Sequence, residues 1–145
     1  MKLKLKKSLK QRARTGPVSA KAVVVSGGKI LMLRQHNGNW DLPGGKVNDN
    51  ESVTDGLIRE VWEETRLSVT PLGLLTSSTK PRTNEDDLLV LSYLCEVCDS
   101  TSELRIRLSE EHVDYRLIDF KEALALPLHA HYARAVQKAR KHIRK

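Results

Sequence analysis

Aromatic residues are scarce in this chain, with one Phe, two Trp and three Tyr among 145 residues. It therefore offers no sign of a platform that stacks successive nucleobases. Cysteine is as sparse: Cys95 and Cys98 form a lone C-x-x-C. A structural zinc site takes about four ligands, and no second cysteine pair exists to complete one. Both cysteines lie in LLVLSYLCEVC, which reads as a strand, where side chains three apart point to opposite faces. That geometry suits neither a disulfide nor a shared metal, and plain strand cysteines in a reducing compartment are expected. No apolar run approaches the roughly 20 residues of a bilayer span. The start, MKLKLKKSLKQRAR, lacks the continuous apolar segment of a secretory signal. A cytoplasmic protein with no membrane partner is the expectation. There is also no internal repeat and no long low-complexity linker.

What is present describes one folded domain. Apolar residues make up 39% and charged residues 30%, enough for a modest core and against overall disorder. The net charge of +7 is unevenly spread. Residues 1–14 hold seven Lys/Arg and residues 132–145 hold six, with no acid in either stretch. The body between them carries 12 basic residues against all 18 acids, a net −6. Two readings of the basic ends stay open: contact with RNA, DNA or another acidic partner through phosphate neutralisation, or solvated termini. The division that follows is a basic arm over residues 1–16 and one domain over 17–145 that ends in a basic helix.

VSAKAVVV, the turn Gly27-Gly28 and KILMLRQ form a hairpin pattern. HNGNW is a turn-rich loop leading into DLPGG. A helix is predicted from about Glu51 to Arg66, capped by Asn48, Asp49 or Asn50. LSVTPLGLLTSST and DLLVLSYLCEVC read as strands joined by the loop KPRTNED. A further loop precedes the strand VDYRLID. FKEALAL is a short helix stopped by Pro127, and HAHYARAVQKARKHIRK closes the chain with Tyr132, Ala135, Val136 and Ala139 at helical spacing. Strands, helix, strands, helix predict one α/β or α+β domain with helices packed on a mixed sheet.

The central helix carries the chemistry. With Glu60 set at zero, Glu63 falls near ~300° and Glu64 near ~40° around the axis. The three carboxylates thus share one stripe, while Leu57, Ile58, Val61 and Trp62 define a separate apolar face. Close carboxylates repel, and a divalent cation is the usual reason to gather them. Arg59 falls beside Glu63 and is expected to hold that carboxylate. Gly56, a mid-helix glycine that costs about 1 kcal/mol relative to alanine, is expected to clear space for the Gly44-Gly45 loop or for a metal-bound phosphate. An isolated E-x-x-E-E is more often a solvated helix face. Here the PGG turn, the spacing to Glu51 and Arg59 favour a site.

Gly45, Glu51, Arg59, Glu60, Val61, Glu63, Glu64 and Leu67 fall in register with the box of the Nudix hydrolases, G-x5-E-x7-R-E-U-x-E-E-x-G-U, where U is aliphatic. The preceding WDLPGG is similar to the usual lead-in. The box covers 23 of the 145 residues, and the strand order extends the resemblance to roughly residues 18–140. One departure stands out: Arg66 occupies the position of the glycine that normally closes the helix, where a left-handed conformation is expected.

The resemblance implies a Nudix-like α/β/α sandwich whose mixed central sheet is flanked by helices. It also implies a hydrolase that cleaves a diphosphate linkage with Mg²⁺ or Mn²⁺. On that footing Glu60 and Glu64 are principal metal ligands, helped by Glu63 and the Gly45 carbonyl, and Arg59 orients the carboxylates. Glu111, with Glu110 second, is expected to be the general base, a role that otherwise returns to Glu63 or Glu64. Gly44 and Arg34 are expected on the substrate side, although Arg34 reads equally as an exposed strand-end residue. His36 and His112 read as polar loop residues near the cleft. Trp40 either stacks on a base or packs the loop against the sheet. The expected substrate is a small nucleotide: a nucleoside triphosphate, including oxidised forms, or an ADP-ribose-like sugar. Pro81 stands roughly where some ADP-ribose-cleaving members carry a proline, too little to decide between them. Two alternatives are removal of a 5′ diphosphate or cap from RNA using the basic ends, and a non-catalytic nucleotide-binding module. The expected state is a monomer or a homodimer.

Overall fold

The computed structural model describes residues 16–98 and 104–143. The basic arm therefore lies outside the described residues, except for Gly16. β1 (Val18–Ser26) and β2 (Lys29–Gln35) form the predicted hairpin around Gly27-Gly28. Two short strands follow, β3 (Trp40–Asp41) and β4 (Gly44–Lys46), where the sequence suggested only loop. α1 (Val53–Thr65) is followed by β5 (Val69–Lys80), β6 (Leu88–Val97) and β7 (His112–Ile118). Two helices complete the domain, α2 (Phe120–Ala125) and α3 (Ala130–Ile143).

The strands make one mixed seven-stranded sheet in the order β3-β2-β1-β6-β5, with β4 also on β1 and β7 also on β2. Among the described residues only the β1–β6 pairing is parallel. Both strands of such a pair must be covered on both faces, and two separate cores do this. On one face Val23, Ile30, Met32 and Trp40 pack against Phe120 of α2 and Ala135, Val136 and Ala139 of α3. On the other, Ala20, Ala22, Val24, Leu31 and Leu33 receive Leu57 and Val61 of α1. The result is a three-layer α/β/α arrangement, as expected. Leu57 and Val61 are fully buried, each worth roughly 1.5–3 kcal/mol, so α1 is anchored along one flank and free to present the other.

Cys95, in β6, is buried and Cys98, one residue past the end of β6, is exposed; both are free thiols. Among the described residues no helix is long and apolar enough to cross a membrane.

Candidate active site

α1 starts two residues later than the sequence suggested. Ser52, not Asn48–Asn50, is the N-cap, accepting from the Asp55 N–H at 3.1 Å. Glu51 is thereby left ahead of the helix, where its carboxylate accepts the Asn48 N–H at 2.8 Å and two guanidinium nitrogens of Arg59. Those contacts, with the Arg59 guanidinium the main cause, hold the Glu51 carboxyl at about 2. Arg59 also donates to the Lys46 carbonyl at 3.0 Å, to Glu60 Oε1 at 3.1 Å and to Glu63 Oε1 at 2.8 Å. One planar fork thus ties the loop before the helix to two of its glutamates.

Gly56 serves this brace and not the Gly44-Gly45 loop. A Cβ there would come within 2.9 Å of Glu51 Oε1 and 3.1 Å of Val47 Cγ1. The expected clearance is real, but its occupant is Glu51. Gly45 is the glycine that admits a site carboxylate: its Cβ would sit 2.7 Å from Glu60 Oε2.

Glu64 parts from the other two box acids. It is buried, and its Oε1 accepts the Gly44 N–H at 2.7 Å. Burial pushes its carboxyl up to about 8; the Gly44 N–H opposes this, and Glu111 beside it adds to the rise. Burial likewise raises Glu60, with Glu63 and Glu111 adding repulsion against the pull of Arg59. Glu111 is therefore close enough to act on both acids. It reaches them from the far end of the chain because β7, which it precedes, pairs with β2. Gly44 makes its own close approach possible: φ is +128°, and a Cβ would lie 2.1 Å from the Ala20 carbonyl oxygen.

Behind these acids lies a buried network that the sequence did not reveal. Lys21, mid-strand in β1, donates to the carbonyls of Leu42 and Gly44 at 3.0 and 3.2 Å and pairs with Asp41 at 3.1 Å. Burial opposes its charge, but Asp41, Tyr132 and Glu64 outweigh that and raise its pKa. Asp41 also contacts Gln35 Nε2 at 3.1 Å and His112 Nε2 at 3.3 Å. Burial alone would raise Asp41, yet these partners hold it at about 2. A lysine between small strand residues carries no local signal of such a role. His112 is accordingly not a loop residue: it opens β7 and is buried. His36 is an exposed turn residue, its Nε2 2.7 Å from the Glu110 carbonyl. Lys21, Asp41, Gly44, Glu64, Glu111 and His112 line one cavity of about 410 Å³.

Arg34 does not line that cavity. It is exposed, with its guanidinium carbon 5.9 Å from the Trp40 ring centroid. Trp40 is buried in the core against α2 and α3 and donates its backbone N–H to the Pro127 carbonyl, so it packs the loop. Trp62, expected on the apolar face, is 47% exposed and lies under the Arg66 guanidinium at 4.1 Å. Arg66 adopts the left-handed conformation of a helix-closing glycine (φ 65°, ψ 18°), and its N–H reaches the Trp62 carbonyl at 2.8 Å. The helix exit is intact despite the substitution.

The donor set suits a hard divalent cation. Carboxylate oxygens of Glu64 and Glu111 lie within 4.8 Å of one another, and a bound cation would relieve the repulsion that adds to burial in raising Glu60 and Glu64.

An acid-lined cleft of this kind, beside a glycine turn and a braced glutamate helix, defines a hydrolase class, and comparison with known proteins agrees. The NUDIX domain model matches residues 16–139. A MutT-like protein of Streptomyces ambofaciens is 46% identical over 54 residues, 36% of this chain and 35% of that protein. The match thus spans about a third of that relative's length. The asymmetrical bis(5′-nucleosyl)-tetraphosphatase of Mus musculus is 31% identical over 109 residues, 68% of this chain and 69% of that protein. The crystal structure of the MutT protein from Methanosarcina mazei Go1 superposes with a TM-score of 0.72 at 28% identity, covering 89% of this chain and 96% of that one. The chain belongs to the NUDIX family, whose hydrolases act on phosphoric anhydride bonds.

Proposed function

We propose that this chain is a divalent-cation-dependent pyrophosphohydrolase that cleaves a diphosphate linkage in a nucleotide or nucleoside-diphosphate derivative. The observation that carries this reading is a Glu111 carboxylate oxygen brought within 4.8 Å of one from Glu64 by a loop more than forty residues downstream of the helix. Glu60, Glu63, Glu64 and the Gly45 carbonyl would hold Mg²⁺ or Mn²⁺, which when bound would supply positive charge to the phosphates and lower the pKa of an attacking water. Arg59 keeps Glu60 and Glu63 in place through its brace to Glu51. Glu111 takes the proton from the attacking water, and Gly44 lets the loop approach the phosphates closely. Arg34 contacts the distal part of the substrate, outside the cavity.

The likeness to the mouse tetraphosphatase supports adding dinucleoside polyphosphates to nucleoside triphosphates, oxidised or not, and ADP-ribose-like sugars as substrates to test. Product release is measured for each with Mg²⁺ and with Mn²⁺, in the native chain, Glu64→Gln and Glu111→Gln. Glu111→Gln is expected to lower turnover by at least the roughly hundredfold typical of a lost general base. Retention of most activity would return that role to Glu63 or Glu64. No turnover of any substrate would leave the non-catalytic binding module.

Exposed Arg134, Lys138, Arg140 and Lys141 line a depression beside α2 and favour a second reading, action on RNA 5′ ends. Deleting residues 1–14 should then weaken cleavage of 5′-capped RNA and spare free nucleotides. Equal effects on both would remove RNA from consideration.

A further inference from the structure

Lysine is almost never buried without a partner, yet Lys21 sits buried between Ala20 and Ala22 in β1. Its pairing with Asp41 is a weak reason for this, since packed apolar residues of similar volume often stabilise a fold as well as a buried ion pair. An ammonium has three donors and no acceptor. One meets the Asp41 carboxylate at 3.1 Å, and the other two meet the carbonyls of Leu42 and Gly44 at 3.0 and 3.2 Å. The Tyr132 ring centroid lies 5.3 Å from the same nitrogen. Lys21 lines the cavity, but no N–H is left to bind substrate. Any part it plays there runs through the two carbonyls.

Those carbonyls flank Pro43, whose own carbonyl accepts the Ala22 N–H at 2.8 Å. Lys21 and Ala22 thus hold three successive carbonyls of the loop before α1. The Pro43 carbonyl and the Gly44 N–H belong to one planar trans peptide, in which C=O and N–H point in opposite directions. With the carbonyl turned onto β1, the N–H faces away from it, and there it meets Glu64 Oε1 at 2.7 Å. Lys21 stands opposite Gly44 in the β1–β4 register, so its ammonium acts beside that peptide. Glycine has the freest backbone of any residue, and this peptide needs a hold from outside.

We propose that Lys21 is a positioning residue of the cation site: its grip on the Leu42 and Gly44 carbonyls aims the Gly44 N–H at Glu64 and fixes the orientation in which that carboxylate is presented. Asp41 supplies the counter-charge that lets the ammonium stay buried. The inference rests on the reading that Glu64 holds a cation, and adds to it a residue that touches neither cation nor substrate.

The test combines NMR of the full chain with Mn²⁺ binding followed by EPR. Scalar couplings from the Lys21 ¹⁵Nζ to the carbonyl carbons of Leu42 and Gly44 are expected in the native chain, where no variant has to fold, and their absence overturns the proposal. Lys21→Met and Asp41→Asn remove the same ion pair, but only the first releases the carbonyls. In Lys21→Met the Gly44 amide proton should move upfield as its hydrogen bond lengthens. Mn²⁺ affinity of the folded protein should fall there by roughly 10–100-fold, the usual cost of losing a group that orients a metal ligand. Asp41→Asn should leave the amide in place and retain clearly more of the affinity. Where Lys21→Met is too unstable, Lys21→Met/Asp41→Asn takes its place. Equal losses in the variants with and without Lys21, or a Gly44 amide unmoved when Lys21 is replaced, would make the lysine merely structural. If Mn²⁺ binds, is lost in Glu64→Gln and is indifferent to Lys21, the proposal is wrong and the cation reading stands. If the native chain binds no Mn²⁺, both fall.

Discussion

Replacing Asp41 by asparagine removes one charge from a pair whose partner has nowhere to go. The Lys21 and Asp41 side chains are 9% and 6% exposed, so the ammonium left behind keeps only neutral acceptors, the carbonyls of Leu42 and Gly44 and the asparagine oxygen. Breaking a buried pair from one side typically costs about 3–5 kcal/mol, because an uncompensated charge remains. Lys21→Met should cost a similar amount, for it leaves Asp41 charged with only neutral or weakly charged donors, Gln35, His112 and the Leu42 N–H. The double variant buries neither charge, while the introduced asparagine still offers an oxygen to those two donors. Its cost should fall short of the sum of the singles by about 2 kcal/mol or more, within the range seen for coupled neighbours. The assay is urea unfolding at neutral pH, followed by far-UV circular dichroism. At a slope of about 2 kcal/mol/M, each single variant lowers the midpoint by roughly 1.5–2.5 M. Single variants that shift it by less than about 0.5 M, or a double variant that equals their sum, would falsify the buried-pair reasoning.

Two further outcomes are expected. The Glu51 carboxyl lies at about 2, below its ordinary 4.5, and a depressed carboxyl stabilises the fold above its unfolded value and loses that contribution as pH falls through the folded one. The stability gap between the native chain and Glu51→Gln should therefore be full above about pH 4.5 and close towards pH 2; a gap that stays constant over that window contradicts the Arg59 brace. Arg66→Gly removes a left-handed cost of about 1–2 kcal/mol and loses a cation–π contact worth about 0.5–1 kcal/mol at an exposed site. A net gain of about 0.5–1 kcal/mol, or roughly 2–4 °C in Tm, is expected by calorimetry, and a lower Tm would show that the Trp62 contact outweighs the backbone strain.

Features that depend on local spacing were legible in the sequence. Helical phase put Glu63 beside Arg59, and the two-residue glycine turn placed the β1–β2 hairpin. The predicted strand alternation set Cys95 and Cys98 apart, although β6 itself ends at Val97. What escaped depends on partners far along the chain. Helical phase groups Glu64 with the other two acids, but contact with Gly44 and Glu111 buries it apart from them. Trp62 sits at the edge of the apolar arc and remains half exposed beneath Arg66. Lys21, Asp41 and His112 meet because β1, β3 and β7 all pair with β2. Nothing within a few residues of any of them announces that meeting. Glu51 was visible as a box position, but its place ahead of the helix followed from the Ser52 cap.

The left-handed Arg66 bears on how this chain and others like it are recognised. A signature spelled in letters treats its glycine as an identity, and a strict search for that letter passes over this protein. What the helix exit requires is a backbone shape and a donor for the Trp62 carbonyl, and an arginine provides both when an aromatic ring lies beneath its side chain. The more faithful signature is written in conformations, with Trp62 and Arg66 as a linked pair standing where a lone glycine is expected.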